Sequence, residues 1–177
     1  MNAIRIEQEE LRRVAIHECG HAVMAVIQGI PCRGVFFAYE PTEAVAICAG
    51  RFCVPVGNNP PWKKGDYLQS AAGTGAEDLF FGGYNRSASE DDQQMFSVAG
   101  APEWEATVEE AKTILAGYKD KIALMAEEFL SKHERVPLTL LPDRGMDGSS
   151  TRFKEILSEK VVLQIAESES VTKLIGE

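Results

Sequence analysis

No stretch of this sequence is rich in lysine and arginine. The 177 residues carry 18 basic against 27 acidic side chains, a formal charge of −9. A nucleic-acid footprint or a polybasic membrane patch needs the opposite balance. No apolar run approaches the roughly 20 residues of a membrane-spanning helix. The opening "MNAIRIEQEELRRVAIHE" lacks the uninterrupted apolar segment of a secretory signal. Cysteine is scarce, and its four copies, at 19, 32, 48 and 53, form no C-x-x-C pair. All four are expected to be reduced thiols, which fits a cytoplasmic protein. Histidine is scarcer still, with three copies. Internal repeats and low-complexity tracts are missing as well.

What is there suffices for a globular fold. The chain is long enough to bury a core without disulfide or metal staples. Apolar Ile6, Leu11, Val14, Ala15, Ala22, Ala25 and Val26 recur at helical spacing and predict one helix over 5–28, stopped by Gly29 and Pro31. Two strand-like runs follow at 34–40 and 44–56, enough for a hairpin but not a large sheet. "GNNPPWKKG" (57–65) reads as a loop, 66–81 as a second helix ended by Gly82 and Gly83, and a short helix is expected from about 89. One long helix is predicted over about 102–133, an irregular connector over 136–150, and one or two amphipathic helices over 151–175. The expected fold class is mainly α with a small β-hairpin or sheet (α+β).

Two of the three histidines, His17 and His21, stand four apart around Glu18 in "HECGHAV". Four residues is about one helical turn, so the two imidazoles share a face. They can converge on one Zn²⁺ at about 2.0–2.1 Å. Zinc acidifies a water at its open position, and a neighbouring carboxylate can take the proton. H-E-x-x-H on a helix is therefore the spacing of a metalloprotease. A catalytic zinc takes three protein ligands as a rule, and spacing leaves the third open. Met24 and Ile27 stand where a longer H-E-x-x-H-x-x-G-x-x-H pattern needs Gly and His. No Glu in the chain has Asp four residues on. His133 sits at a helix end, where its charge complements the dipole. The acidic knot "SASEDD" (87–92) is the densest supply of carboxylates.

"HECGHAV", then "AAGTGAEDLFFGG", then "SASEDDQQ" together resemble the peptidase domain of the FtsH family of ATP-dependent zinc proteases. The likeness covers roughly residues 8–133. It implies an FtsH-like zinc peptidase domain over 1–135, with 136–177 as a connector and C-terminal helical extension. It implies that His17 and His21 bind zinc and that Glu18 is the general base. Asp91 takes the place of the family's third ligand, and a one-residue slip would substitute Asp92. Glu77, in the second block, would accept the other N–H of a zinc histidine. Cys19 replaces a common Ala and is expected to pack as a small apolar residue.

The sequence departs from the family in holding no G-x-x-x-x-G-K-[ST] loop, so the ATPase motor is missing from these residues. The resulting expectation is a metalloendopeptidase acting without ATP on peptides or unfolded and flexible chains, with a homo-oligomer or a partner ATPase as candidate assemblies. The alternative is a catalytically silent zinc-binding scaffold or regulatory module on the same fold.

Overall fold

A computed structural model describes residues 8–32, 34–39, 49–52, 62–85, 90–98, 103–135 and 152–168. Their order is α1 (Gln8–Gln28), β1 (Gly34–Tyr39), β2 (Ala49–Phe52), α2 (Lys64–Phe81), α3 (Glu90–Val98), α4 (Trp104–Ala116), α5 (Lys119–Arg135), β3 (Arg152–Ser158) and α6 (Glu159–Glu167). The fold is mainly helical with one small antiparallel sheet of order β2-β1-β3, as the α+β expectation had it.

α1 ends where the sequence says it must. Gly29 takes the left-handed conformation (φ 67°), its N–H bonds Val26 O at 3.1 Å, and Ile30 N–H bonds Ala25 O at 2.8 Å. This pair of bonds is a Schellman closure, and it needs a residue without a Cβ penalty at positive φ. α2 begins two residues earlier than expected. There the Asp66 carboxylate accepts the Lys63 N–H at 2.7 Å, satisfying one orphan donor of the first turn.

α1 and α2 pack directly on one another, α2 also packs on α4, and α1 on α5. Small residues allow the first of these contacts: a Cβ on Gly20 would stand 2.5 Å from Ala76 Cβ and 2.8 Å from Ala72 O. Ala71, Ala72 and Ala76 of α2 and Ala15, Ala22 and Ala25 of α1 are fully buried around it. Phe129, Leu115, Ile122 and Met125 fill the far side of the core.

Two expectations are corrected. The single helix over 102–133 is two helices, parted at Gly117 and Tyr118. There the N–H groups turn back to Ile114 O (3.3 Å) and Leu115 O (2.8 Å), three residues away, and the α-helical ladder stops. The segment 151–175, expected as one or two helices, opens instead with a strand: β3 pairs with β1 from Gly34↔Ser158 to Tyr39↔Arg152. α6 then packs on β1, α1 and α5. Residues 136–151 lie outside the described part. No helix among the described residues is long and apolar enough to cross a membrane.

Candidate metal centre

α1 carries His17, Glu18 and His21 on a stretch that is buried almost throughout, and all three residues are buried. Buried imidazoles need partners for both nitrogens. α2 supplies the outer ones. His17 Nδ1–H donates to Glu77 Oε1 at 2.8 Å. His21 Nδ1 lies 2.7 Å from the backbone carbonyl of Gln69, an oxygen that can only accept. Both Nδ1 atoms therefore carry hydrogen, and in the neutral rings both Nε2 atoms present lone pairs.

Those two Nε2 atoms face each other at 3.1 Å. The Asp92 Oδ2 atom of α3 completes a triangle, 3.0 Å from His17 Nε2 and 3.2 Å from His21 Nε2. Three electron-rich atoms this close repel unless something positive sits among them. A proton on each Nε2 satisfies Asp92 but sets two N–H groups against each other. A single divalent cation satisfies all three. With bonds of about 2.0–2.1 Å, the edge of a tetrahedral zinc polyhedron is about 3.3 Å, close to the three separations. His17, His21 and Asp92 are thus a donor set that could hold a metal ion.

The electrostatics agree. Burial disfavours charge on His17, but the hydrogen bonds to Asp92 and Glu77 outweigh it and lift its pKa well above the ordinary histidine value. His21 is raised too: burial opposes the charged form, and the Asp92 carboxylate overcomes it. Burial alone would raise the Asp92 carboxyl, yet the two imidazoles hold it well below the usual carboxylate range. The pocket attracts positive charge, whether protons or a metal. It is not closed on all sides. The imidazole side chains are 7% and 5% exposed, but Asp92 keeps 25% of its side-chain surface in solvent, so the α3 side is open.

Glu77 is itself 1% exposed, and a carboxylate buried that deeply needs compensation. Its Oε2 accepts the Asn85 N–H at 3.0 Å and lies 3.7 Å from the Arg13 guanidinium. Arg13 in turn stacks over the Phe81 ring, 4.3 Å from its centroid. The end of α2 is thereby fixed to α1, and the orientation of the His17 ring with it.

The sequence-predicted residues come together, with one shift of register. His17 and His21 meet Asp92, Glu77 meets His17 Nδ1, and Glu18 lies buried on α1 beside His17. The carboxylate at the imidazole pair belongs to Asp92, the one-residue alternative to Asp91; the Asp91 side chain lies outside the described residues. His133 lies in the last turn of α5, the place expected for it. Cys19 is fully buried, and burial together with the Glu18 charge pushes its thiol pKa well up, as suits a packing residue rather than a nucleophile. Cys48 and Cys53 lie outside the described residues. Sequence reasoning gave no role to Arg13, Gln69, Gly73 or Asn85. Gly73 alone left a signal, being a glycine inside a helical pattern, where it costs about 1 kcal/mol against Ala and calls for a reason. No protein-family model and no curated protein matches the chain.

Proposed function

We propose that the chain is a zinc-dependent endopeptidase that hydrolyses peptide bonds in unfolded or flexible chains without ATP. His17, His21 and Asp92 would hold the metal. The observation that carries this is the triangle of His17 Nε2, His21 Nε2 and Asp92 Oδ2, with sides of 3.0 to 3.2 Å, next to a buried glutamate. Zinc in that seat would supply a Lewis acid for a peptide carbonyl and would make a water easier to deprotonate.

The remaining work falls to the chain's own groups. Glu18 adjoins His17 on α1, and its charge acts on both imidazoles; it is the base for the attacking water. Glu77 holds His17 by Nδ1, and the Gln69 carbonyl holds His21, so neither ring has to reorient during reaction. Substrate enters from the α3 side, where Asp92 meets solvent. Among the described strands β2 stands at an edge of the sheet and contacts α1, which favours an extended peptide laid along it. The resemblance to the FtsH peptidase domain points to the same chemistry, with a homo-oligomer or a partner ATPase as the candidate assembly.

The test is zinc content together with cleavage of casein, comparing the parent protein with Glu18→Gln. The expected result is about one zinc per chain in both and cleavage in the parent alone, reduced at least about a hundredfold in the variant. Zinc in the parent with no cleavage of casein or other disordered chains would favour the scaffold reading instead.

A further inference from the structure

Gly73 of α2 lies directly against the two imidazoles. A Cβ built there would stand 2.5 Å from His21 Nε2 and 2.6 Å from His17 Cδ2, and it would meet His17 Nε2 as well. Two of these three atoms are the nitrogens that face Asp92. The rings cannot retreat freely, because their far sides are tied to Glu77 and to the Gln69 carbonyl. Gly73 is buried, as are its helical neighbours Ala71, Ala72 and Thr74. Helix propensity favours Ala here, and no positive φ calls for glycine. What glycine provides is room.

We infer that Gly73 is a further determinant of the metal centre: its missing side chain is the space a cation needs beside the two Nε2 atoms. A methyl group there either occupies that space or drives the imidazoles apart, and the triangle with Asp92 is lost. This rests on the metal-binding assignment above but makes a separate claim about one residue. Gly73 acts through the histidines and touches no substrate, so it is a positioning residue.

Gly75 provides the comparison on the same helix. A Cβ there would meet α4 rather than the centre, 3.0 Å from Lys112 N and 3.2 Å from Val108 O. Zinc affinity is measured on the full chain by competition with a chromophoric chelator, and cobalt(II) is added to report ligand geometry by its visible absorption. Metal-free unfolding is followed by circular dichroism. Gly73→Ala is expected to stay folded, to lose zinc affinity by about a hundredfold or more, beyond the range for displaced supporting groups, and to lose the tetrahedral cobalt bands. Gly75→Ala is expected to lower the metal-free melting temperature while keeping zinc affinity within about threefold of the parent, since its clash lies on the α4 side.

Zinc bound by Gly73→Ala as tightly as by the parent would overturn the inference and leave the metal centre standing. A parent that binds no zinc would overturn both. Should Gly73→Ala fail to fold, adding His17→Ala and His21→Ala together must restore folding; if they do not, the clash is not with the imidazoles and the inference falls.

Discussion

One position along a helix decides which carboxylate completes the centre. Asp92 stands at the imidazoles, and because successive helical positions are rotated by about 100°, a one-residue change of register changes the ligand. Composition and spacing put carboxylates near this place but could not phase the helix, because residues 91 and 92 are chemically identical. The histidine pair was legible for the opposite reason: four-residue spacing fixes a shared face whatever the phase. Asp92→Asn is therefore expected to reduce zinc affinity by about a hundredfold and Asp91→Asn by less than about threefold, measured by chelator competition. The reverse order would return the ligand to Asp91. Protons and metal compete for the same atoms. The raised imidazole pKa values stabilise the metal-free fold fully below about pH 6.5, the unfolded value, and that stabilisation is lost as pH climbs through the folded values. The lowered Asp92 pKa stabilises above about pH 3.9 and is lost as pH falls through its folded value. Chemical denaturation of the metal-free protein is thus expected to show this cluster's largest contribution between about pH 4 and 6.5. Zinc affinity should instead rise with pH through neutrality, with protons released on binding. A zinc affinity independent of pH would speak against imidazole ligands.

Asp92 is only as well placed as the helix that bears it. One turn further along α3, Phe96 is buried and makes edge-on contacts with Tyr67 of α2 (centroids 5.5 Å apart) and Trp104 of α4 (5.0 Å). This aromatic row clamps a nine-residue helix that is too short to be stable alone. Phe96→Ala is expected to lower stability by about 3 kcal/mol and to weaken zinc binding as well, although it is no ligand. Unchanged zinc affinity in a destabilised variant would mean α3 is held by other contacts. Elements were legible where periodicity and stop signals agreed, as at Gln28–Gly29 and Phe81–Gly82. The break at Gly117 was hidden because Leu115 and Ile122, both core residues, stand seven apart, so the apolar pattern runs through the turn unbroken. β3 was hidden by its irregularity. Val35 pairs with Leu157 and Phe36 with Glu155, which leaves Ile156 as the extra residue of a bulge. Adjacent Ile156 and Leu157 are then both buried, and the alternation that marks a strand disappears.

At the scale of the whole molecule the centre lies where three helices meet, α1 supplying the two imidazoles, α2 the groups that orient them, and α3 the carboxylate. A cation there bridges segments far apart in sequence, from residue 17 to residue 92, and should stabilise the fold as any ligand of the native state does. Zinc at about a hundred times its dissociation constant adds roughly 2.7 kcal/mol, or about 5–10 °C in melting temperature for a chain of this size, reversed by a chelator. No shift on zinc addition would separate the cluster from metal binding altogether. The most direct measurement is anomalous diffraction from crystals of the zinc-loaded protein, recorded on both sides of the zinc absorption edge. A single strong peak is expected within about 2.0–2.2 Å of His17 Nε2, His21 Nε2 and an Asp92 carboxylate oxygen, with one coordination position facing solvent. A peak elsewhere, or none at these three side chains, would contradict the assignment.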